Sequence, residues 1–229
     1  MKKLVVLTGA GISAESGIAT FRDANGLWEG HDVMEVASPQ GWRKNPALVL
    51  DFYNQRRKNA HDAQPNPGHR TLAELEKYFK VTIVTQNVDN LHERAGSSQV
   101  IHLHGSLFQS RSTLNENLVY DIEGGEINMG DKCERGSQLR PNIVWFGEMV
   151  PLMEDAVREA ETADIFMVVG TSLVVYPAAG LMHYVPDNKP IYVIDPHLPR
   201  ISPRPNLHLI AEKAGIALPR IMEELIKQA

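Results

Sequence analysis

Cysteine is nearly missing from this chain: Cys133 is the only one in 229 residues. A single thiol cannot close an internal disulfide, so oxidative stapling contributes nothing and a reducing interior is the natural compartment. Excess positive charge is missing as well. The net charge is −5, which argues against nucleic acid as a partner, because such a partner asks for a basic face. No apolar run approaches the ~20 residues of a membrane span. "MKKLVVLTGA" begins like a signal peptide, but its apolar run is short and passes directly into a glycine turn. The expectation is a cytoplasmic monomer that neither binds nucleic acid nor enters a membrane.

What is present is an alternation. Short β-branched runs recur at 4–8, 81–85, 99–104, 142–146, 165–170 and 191–195, with helical patterns between them. Strand and helix in alternation predict an α/β fold, a Rossmann-like parallel sheet with helices on both faces. Asn45 and Pro46 read as the N-cap and first-turn proline of a helix over 46–60, and Gly96 as the stop of "VDNLHERAG". Two stretches break the alternation, 32–64 and 106–141. They are expected to form a small inserted domain, with 1–31, 65–105 and 142–229 making the large one.

Parallel sheets bind ligands beyond the carboxyl ends of their strands. There, "VVLTGAGISAESG" places Gly9 and Gly11 between a strand and a helix start, where bare backbone amides can approach a pyrophosphate. From this motif alone, a tight turn without a ligand reads equally well. The following "FRDANGLWEGHD" is loop-like where a second strand and its ribose-binding acid belong, so a nicotinamide cofactor is expected but hydride transfer is not. Phe21 and Arg22 could cover the cofactor from that loop. Gln86, Asn87 and Asp89 cluster after the strand at 81–85; by themselves they could be a helix cap. In "VIHLHG", His102 and His104 share one strand face and Ile101 and Leu103 the other. Gly105 turns the chain away and leaves His104 at the strand end with a pKa suited to general-base work.

Five segments, "GAGISAESGIATFRD", "TQNVDNLHERAG", "HLHG", "LRPNIVWFGE" and "GTSLVVYPAAG", stand in this order over most of the chain. Together they resemble the sirtuins, NAD-dependent protein deacylases. The resemblance implies a Rossmann-type domain, a small domain normally carrying a four-cysteine zinc clip, and NAD, consumed as co-substrate, in the cleft between them. It places Gly9, Ala10, Gly11, Ile12, Thr20, Phe21, Arg22 and Trp28 on the phosphate and nicotinamide-ribose side. Gln86, Asn87 and Asp89 would hold the nicotinamide end, and Gly170, Thr171, Ser172, Asp195 and Ala214 the adenosine end. Val144, Phe146 and Gly147 would pair as an edge strand with an acyl-lysine protein substrate. In the implied reaction the acyl oxygen attacks the ribose as nicotinamide leaves, and His104, with Asn87 and Asp89 as further catalytic residues, removes a ribose hydroxyl proton.

Tyr53 and Arg56 lie three apart on the predicted helix 46–60, and so on one face. Composition alone would make them a packing residue and a solvated charge. The Tyr-x-x-Arg pair, with Ala37 before it, is similar to the sirtuin branch that removes succinyl and malonyl groups, since a guanidinium beside a phenol can bind a carboxylate. Two positions depart from the family. Only Cys133 remains of the zinc clip, so no zinc is expected, and "NLVYDIEGGEI" could compensate as a hairpin with an apolar face around Leu118 and Tyr120. Asp195 stands where the family has asparagine, which leaves NAD acceptable and disfavours a 2′-phosphate. Two other readings are a protein ADP-ribosyltransferase and a noncatalytic NAD or ADP-ribose sensor, the latter having no use for His104.

Overall fold

From Leu4 to Thr8 the first apolar run is fully buried, as a central strand covered on both faces requires. The structure is a computed structural model and describes residues 1–20 and 27–227; Phe21 and Arg22 lie outside the described residues. The chain begins with β1 (Lys3–Thr8), α1 (Ala10–Ala14), β2 (Leu27–Trp28), β3 (His31–Asp32), α2 (Val33–Val36), α3 (Pro39–Lys44), α4 (Pro46–Asp62) and α5 (Pro67–Glu74). Next come β4 (Lys80–Thr85), α6 (Leu91–Ala95), β5 (Val100–His102), β6 (Gly105–Ser112), β7 (Val119–Asp121) and β8 (Leu139–Ile143). The last elements are α7 (Met153–Glu161), β9 (Ile165–Val169), β10 (Ile191–Ile194), β11 (Leu207–Ile210) and α8 (Ala214–Ile226).

Six strands form one parallel sheet in the order β11-β10-β9-β1-β4-β5. Alternation along β1 divides its side chains between two cores. Leu4 and Val6 join Leu72, Ala217, Leu218 and Ile221 on the face covered by α5 and α8. Val5 and Leu7 join Ala156, Ala160 and Leu181 on the face covered by α7. The chain runs outward from β1 through β4 to β5, then returns to the other side of β1 with β9, so the sheet's switch point lies between β1 and β9. Ligands of open α/β sheets bind at such a point.

The two turns there interlock. Gly9 and Gly11 donate their amides to the carbonyls of Val169 and Gly170, at 3.0 and 2.8 Å. A Cβ on Gly11 would stand 2.7 Å from the Gly170 Cα, closer than real atoms approach. Glycine is therefore needed for packing at this turn.

The two stretches outside the alternation pack on each other. Val36, Val49, Phe52, Tyr53 and Ala60 from α2 and α4 share a core with Leu107, Ile143 and Trp145. The run 142–146, expected as another sheet strand, is not one. The strand is Leu139–Ile143, and it pairs antiparallel with β6 in a separate sheet ordered β7-β6-β8. An apolar run by itself does not say which sheet will take it. Conversely, β11 was not anticipated, because "LHLI" is short and lies at the sheet's edge. The expected hairpin at 117–127 is also different: β7 pairs back onto β6, and Glu123–Gly125 form a short 3-10 turn.

Hydrogen bonds from α4 fasten this small sheet. Asn54 exchanges two with the backbone of Ile127, donating from Nδ2 to its carbonyl and accepting its amide at Oδ1, both at 3.0 Å. Arg57, 3% exposed, donates to the carbonyls of Leu107 and Gly125 and to Asn54 Oδ1. Asn54→Ala would leave the amide and carbonyl of Ile127 without these partners. It should cost about 2 kcal/mol of unfolding free energy, read as a lower urea midpoint at unchanged slope.

Candidate active site

A cleft of about 660 Å³ opens along the carboxyl ends of β10, β9, β1 and β4. Three strand spacings separate its outer positions by about 14 Å, a span suited to two linked nucleotides. At one end Asp195 follows β10 and accepts the His197 amide at 2.8 Å, while Ala214 begins α8. Gly170, Thr171 and Ser172 follow β9. In the middle the Gly9–Gly11 turn leads into α1, whose N-cap glycine brings no side chain of its own. Thr20 and Trp28 also line the cleft. Gln86 donates from Nε2 to Thr171 Oγ1 at 3.2 Å, linking the loops after β4 and β9. This mixture of bare glycine backbone, hydroxyls, amides and carboxylates suits a dinucleotide's phosphates and ribose hydroxyls.

Beyond Gln86, three buried side chains form one network. Ser13 Oγ donates to Asp89 Oδ2 at 2.9 Å and accepts from Asn87 Nδ2 at 3.0 Å. Burial raises the pKa of Asp89, and hydrogen bonds from the Leu91 amide and Ser13 work against that rise. Ser13 was not singled out from the sequence. The only available signal was its place one helical turn inside "GAGIS", which aims it at the loop after β4.

His102, the last residue of β5, and His104, in the turn after it, take consecutive carbonyls of that loop. His104 Nδ1 meets the Gln86 carbonyl at 3.0 Å. A carbonyl only accepts, so Nδ1 carries the proton and Nε2 keeps its lone pair. Burial lowers the His104 pKa, and the Gln86 hydrogen bond offsets part of this. His102 Nδ1 meets the Asn87 carbonyl at 3.1 Å and its Nε2 meets Glu93 Oε1 at 2.6 Å. Both partners accept, so this ring satisfies them only as an imidazolium. Burial would lower the pKa of His102, but Glu93 overrides it and raises it. Two residues apart, the two imidazoles are pushed in opposite directions, His104 towards the neutral form and His102 towards the charged one.

At the other side of the cleft lie Ala37, Tyr53 and Arg56. Tyr53 is fully buried and its hydroxyl accepts from Trp145 Nε1 at 3.1 Å; burial keeps the phenol neutral by raising its pKa. The Arg56 guanidinium lies 4.2 Å from the Trp28 ring centre and donates from Nη1 to Glu29 at 3.2 Å. Among the described residues Arg56 Nε has no partner. The solvated charge that composition suggested is in fact buried.

Val144, Phe146 and Gly147 line the cleft but do not form the expected edge strand. The amides of Val144, Trp145 and Phe146 are already given to the His104 carbonyl, Glu148 Oε2 and the Ala37 carbonyl. Glu148 is held in turn by Arg140 and Arg111. The segment is a turn fixed by a half-buried carboxylate, and these three amides are not open to an extended peptide. Ile12 is likewise no cleft residue; it is fully buried in the core with Leu72 and Ala214.

The remnant of the zinc clip does not suit a metal. Cys133 is a buried free thiol whose pKa is lowered first by the neighbouring Ser112 hydroxyl. Ser112 Oγ itself accepts the amides of Leu114 and Asn115 at 3.1 and 3.4 Å. Among the described residues no three His, Cys, Asp or Glu side chains converge on a point.

The sheet, its switch point and a polar cleft holding a neutral imidazole define a nucleotide-using enzyme of Rossmann type. The Sir2 family profile matches residues 9–177, and the chain belongs to that family. It is 55% identical over 234 residues to an NAD-dependent protein deacylase of Helicobacter pylori, covering 100% of both chains. It is 54% identical to a protein of the same name from Bacteroides thetaiotaomicron, covering 99% of each. A solved structure described as a Sir2 homolog–NAD complex superposes with a TM-score of 0.86 at 45% identity, over 99% of this chain and 89% of that one.

The protonation states can be read directly. Nitrogen NMR of histidine-labelled protein at pH 7 should show His104 neutral with its proton on Nδ1 and His102 doubly protonated. Because the His104 pKa lies below the ordinary 6.5, its base form persists as pH falls through that value. The acid limb of the kcat/KM profile should therefore lie below pH 6.5.

Proposed function

We propose that this Sir2-family member, an NAD-dependent protein deacylase like its relatives, removes succinyl and malonyl groups as well as acetyl from protein lysines. The products are nicotinamide, O-acyl-ADP-ribose and free lysine. One observation carries the acidic-acyl reading: a buried guanidinium, Arg56, with a neutral phenol, Tyr53, in the same cleft as His104.

When bound, NAD supplies an anomeric carbon that the acyl oxygen can attack as nicotinamide departs. The chain's residues do the rest. Gln86, Asn87 and Asp89 orient the nicotinamide end, with Ser13 holding the latter two in place. His104 Nε2 accepts a proton from a ribose hydroxyl, and its Nδ1 stays tied to Gln86, so the ring cannot turn its other nitrogen forward. Arg56 and Tyr53 receive the acyl carboxylate by charge-assisted hydrogen bonds. Asp195 accepts from adenosine ribose hydroxyls and repels a 2′-phosphate, which favours NAD over NADP.

Mass spectrometry with NAD and succinyl-, malonyl- or acetyl-lysine peptides should detect acylated ADP-ribose and free lysine. Protein gaining the mass of ADP-ribose instead would favour a transferase. His104→Ala should lower lysine release by about 10²-fold or more; undiminished release would remove the assignment. Arg56→Met should reduce desuccinylation about 10- to 100-fold, the worth of a charge-assisted hydrogen bond, and deacetylation much less. Equal losses on the two substrates would refute the acyl assignment.

We also infer that the small sheet works without zinc, its hydrogen bonds from Asn54, Arg57 and Ser112 serving where the family uses metal. Metal analysis of the purified protein should find well under one zinc per chain, and about one would overturn this.

A further inference from the structure

The Arg56 guanidinium is not waiting empty for an acyl carboxylate. It already has one, from Glu29 of the same chain, at 3.2 Å. Glu29 sits at the tip of the β2–β3 hairpin, in which Leu27 faces Asp32 and Trp28 faces His31. The two turn residues have φ of +49° at Glu29 and +84° at Gly30, so both are left-handed, as in a type I′ turn. The first position of such a turn suits Gly, Asn or Asp, and a longer side chain there costs about 1–2 kcal/mol. The sequence places glutamate at it nonetheless.

The position has a physical consequence. Arg56 is 7% exposed, packed over Trp28 and near Phe52, and among the described residues Glu29 makes its only ion pair. A buried guanidinium without a counter-ion is costly, so Glu29 neutralises the pocket when no acidic group occupies it. The pairing is through one nitrogen only, although guanidinium and carboxylate can pair through two. The Glu29 side chain is 25% exposed, so water can take it when it leaves. A neutral acyl group can enter without disturbing the pair, whereas an acidic one must share the guanidinium or displace its resident partner.

We propose that Glu29 is a specificity-determining residue: a resident carboxylate that competes with the acyl carboxylate for Arg56 and so keeps the pocket open to neutral as well as acidic acyl groups. This rests on Arg56 as the acyl-carboxylate partner, and the test separates the two claims. The kcat/KM for succinyl-lysine and acetyl-lysine peptides is measured with saturating NAD for the parent protein, Glu29→Gln, Glu29→Asp, Arg56→Met and the Glu29→Gln/Arg56→Met double variant, with thermal melts of each.

Glu29→Gln keeps the side chain's size and removes its charge. It should raise the succinyl-to-acetyl ratio about tenfold, mainly through a lower KM for the succinyl peptide. Glu29→Asp, one methylene shorter, should move the ratio in the same direction, and it serves as the second reading should Glu29→Gln fold poorly. In the Arg56→Met background, Glu29→Gln should leave the ratio where Arg56→Met put it. If Arg56→Met selectively harms desuccinylation but both Glu29 variants leave the ratio unchanged or lower it, Glu29 is only a structural counter-ion and this inference fails while the acyl assignment stands. If Arg56→Met harms both substrates equally, the assignment and the inference fall together.

Discussion

Two consecutive peptide carbonyls, those of Gln86 and Asn87, are each taken by an imidazole from the same short segment of chain. The cleft depends on this pair of contacts because carbonyls can only accept. The acceptor on Nδ1 decides where the proton of His104 sits and therefore which nitrogen is basic. The same contacts fix the loop after β4, which carries the Asn87 amide to Ser13 and sets Asp89 beside it. His104 is also bonded through its own carbonyl to the Val144 amide. Immediately after it, Gly105 has φ of +81°, and a Cβ there would lie 2.0 Å from the Asn142 carbonyl oxygen. Four residues, His102 to Gly105, thus end the large sheet's β5, present the His104 imidazole to the cleft and begin the small sheet's β6.

The sequence made the large sheet legible because a strand covered on both faces must be apolar along its whole length, and "LVVLT", "VTIVT" and "IFMVVG" have few other uses. Alternation in "VIHLHG" correctly put both histidines on one side, since that side is decided by backbone pleat and not by distant contacts. The small sheet was less readable. Its strands carry polar residues such as Gln109, Arg111 and Arg140, and their pairing is decided by partners far away in the chain, among them Asn54 and Arg57 on α4. Segment 144–148 misled for a related reason. Its β-branched and aromatic residues read as a strand, but Glu148 captures the Trp145 amide and bends the chain. The contacts of Ser13, Glu93 and Glu29 were invisible because each is made to a partner supplied by the fold.

The loss of the clip's thiols has a physical counterpart. A metal holds a small module by a few strong bonds converging on one point. In the zinc-free reading proposed above, the module is held by many weaker ones: the Asn54 and Ile127 exchange, the Arg57 carbonyl contacts, and Glu148 between two arginines. Burial lowers the pKa of Arg57 to about 10, so the guanidinium stays charged at neutral pH. Its hydrogen bonds are then charge-assisted and stronger than neutral ones.

Helix α4 joins these two matters. Arg56 and Arg57 are neighbours, and one helical step of about 100° turns them to different surroundings. Arg57 donates to two carbonyls of the small module, those of Leu107 and Gly125, and to Asn54 on its own helix. Among the described residues Arg56 has one carboxylate, two aromatic faces and an Nε without a partner. Arg57, with two backbone carbonyls among its acceptors, holds the helix in register with the small sheet, and that register determines how far its neighbour reaches into the cleft. Two adjacent arginines that look equivalent in the sequence therefore differ in kind. Among the described residues the first is paired with a side-chain carboxylate, which can move, and the second with carbonyls of a packed backbone, which cannot leave.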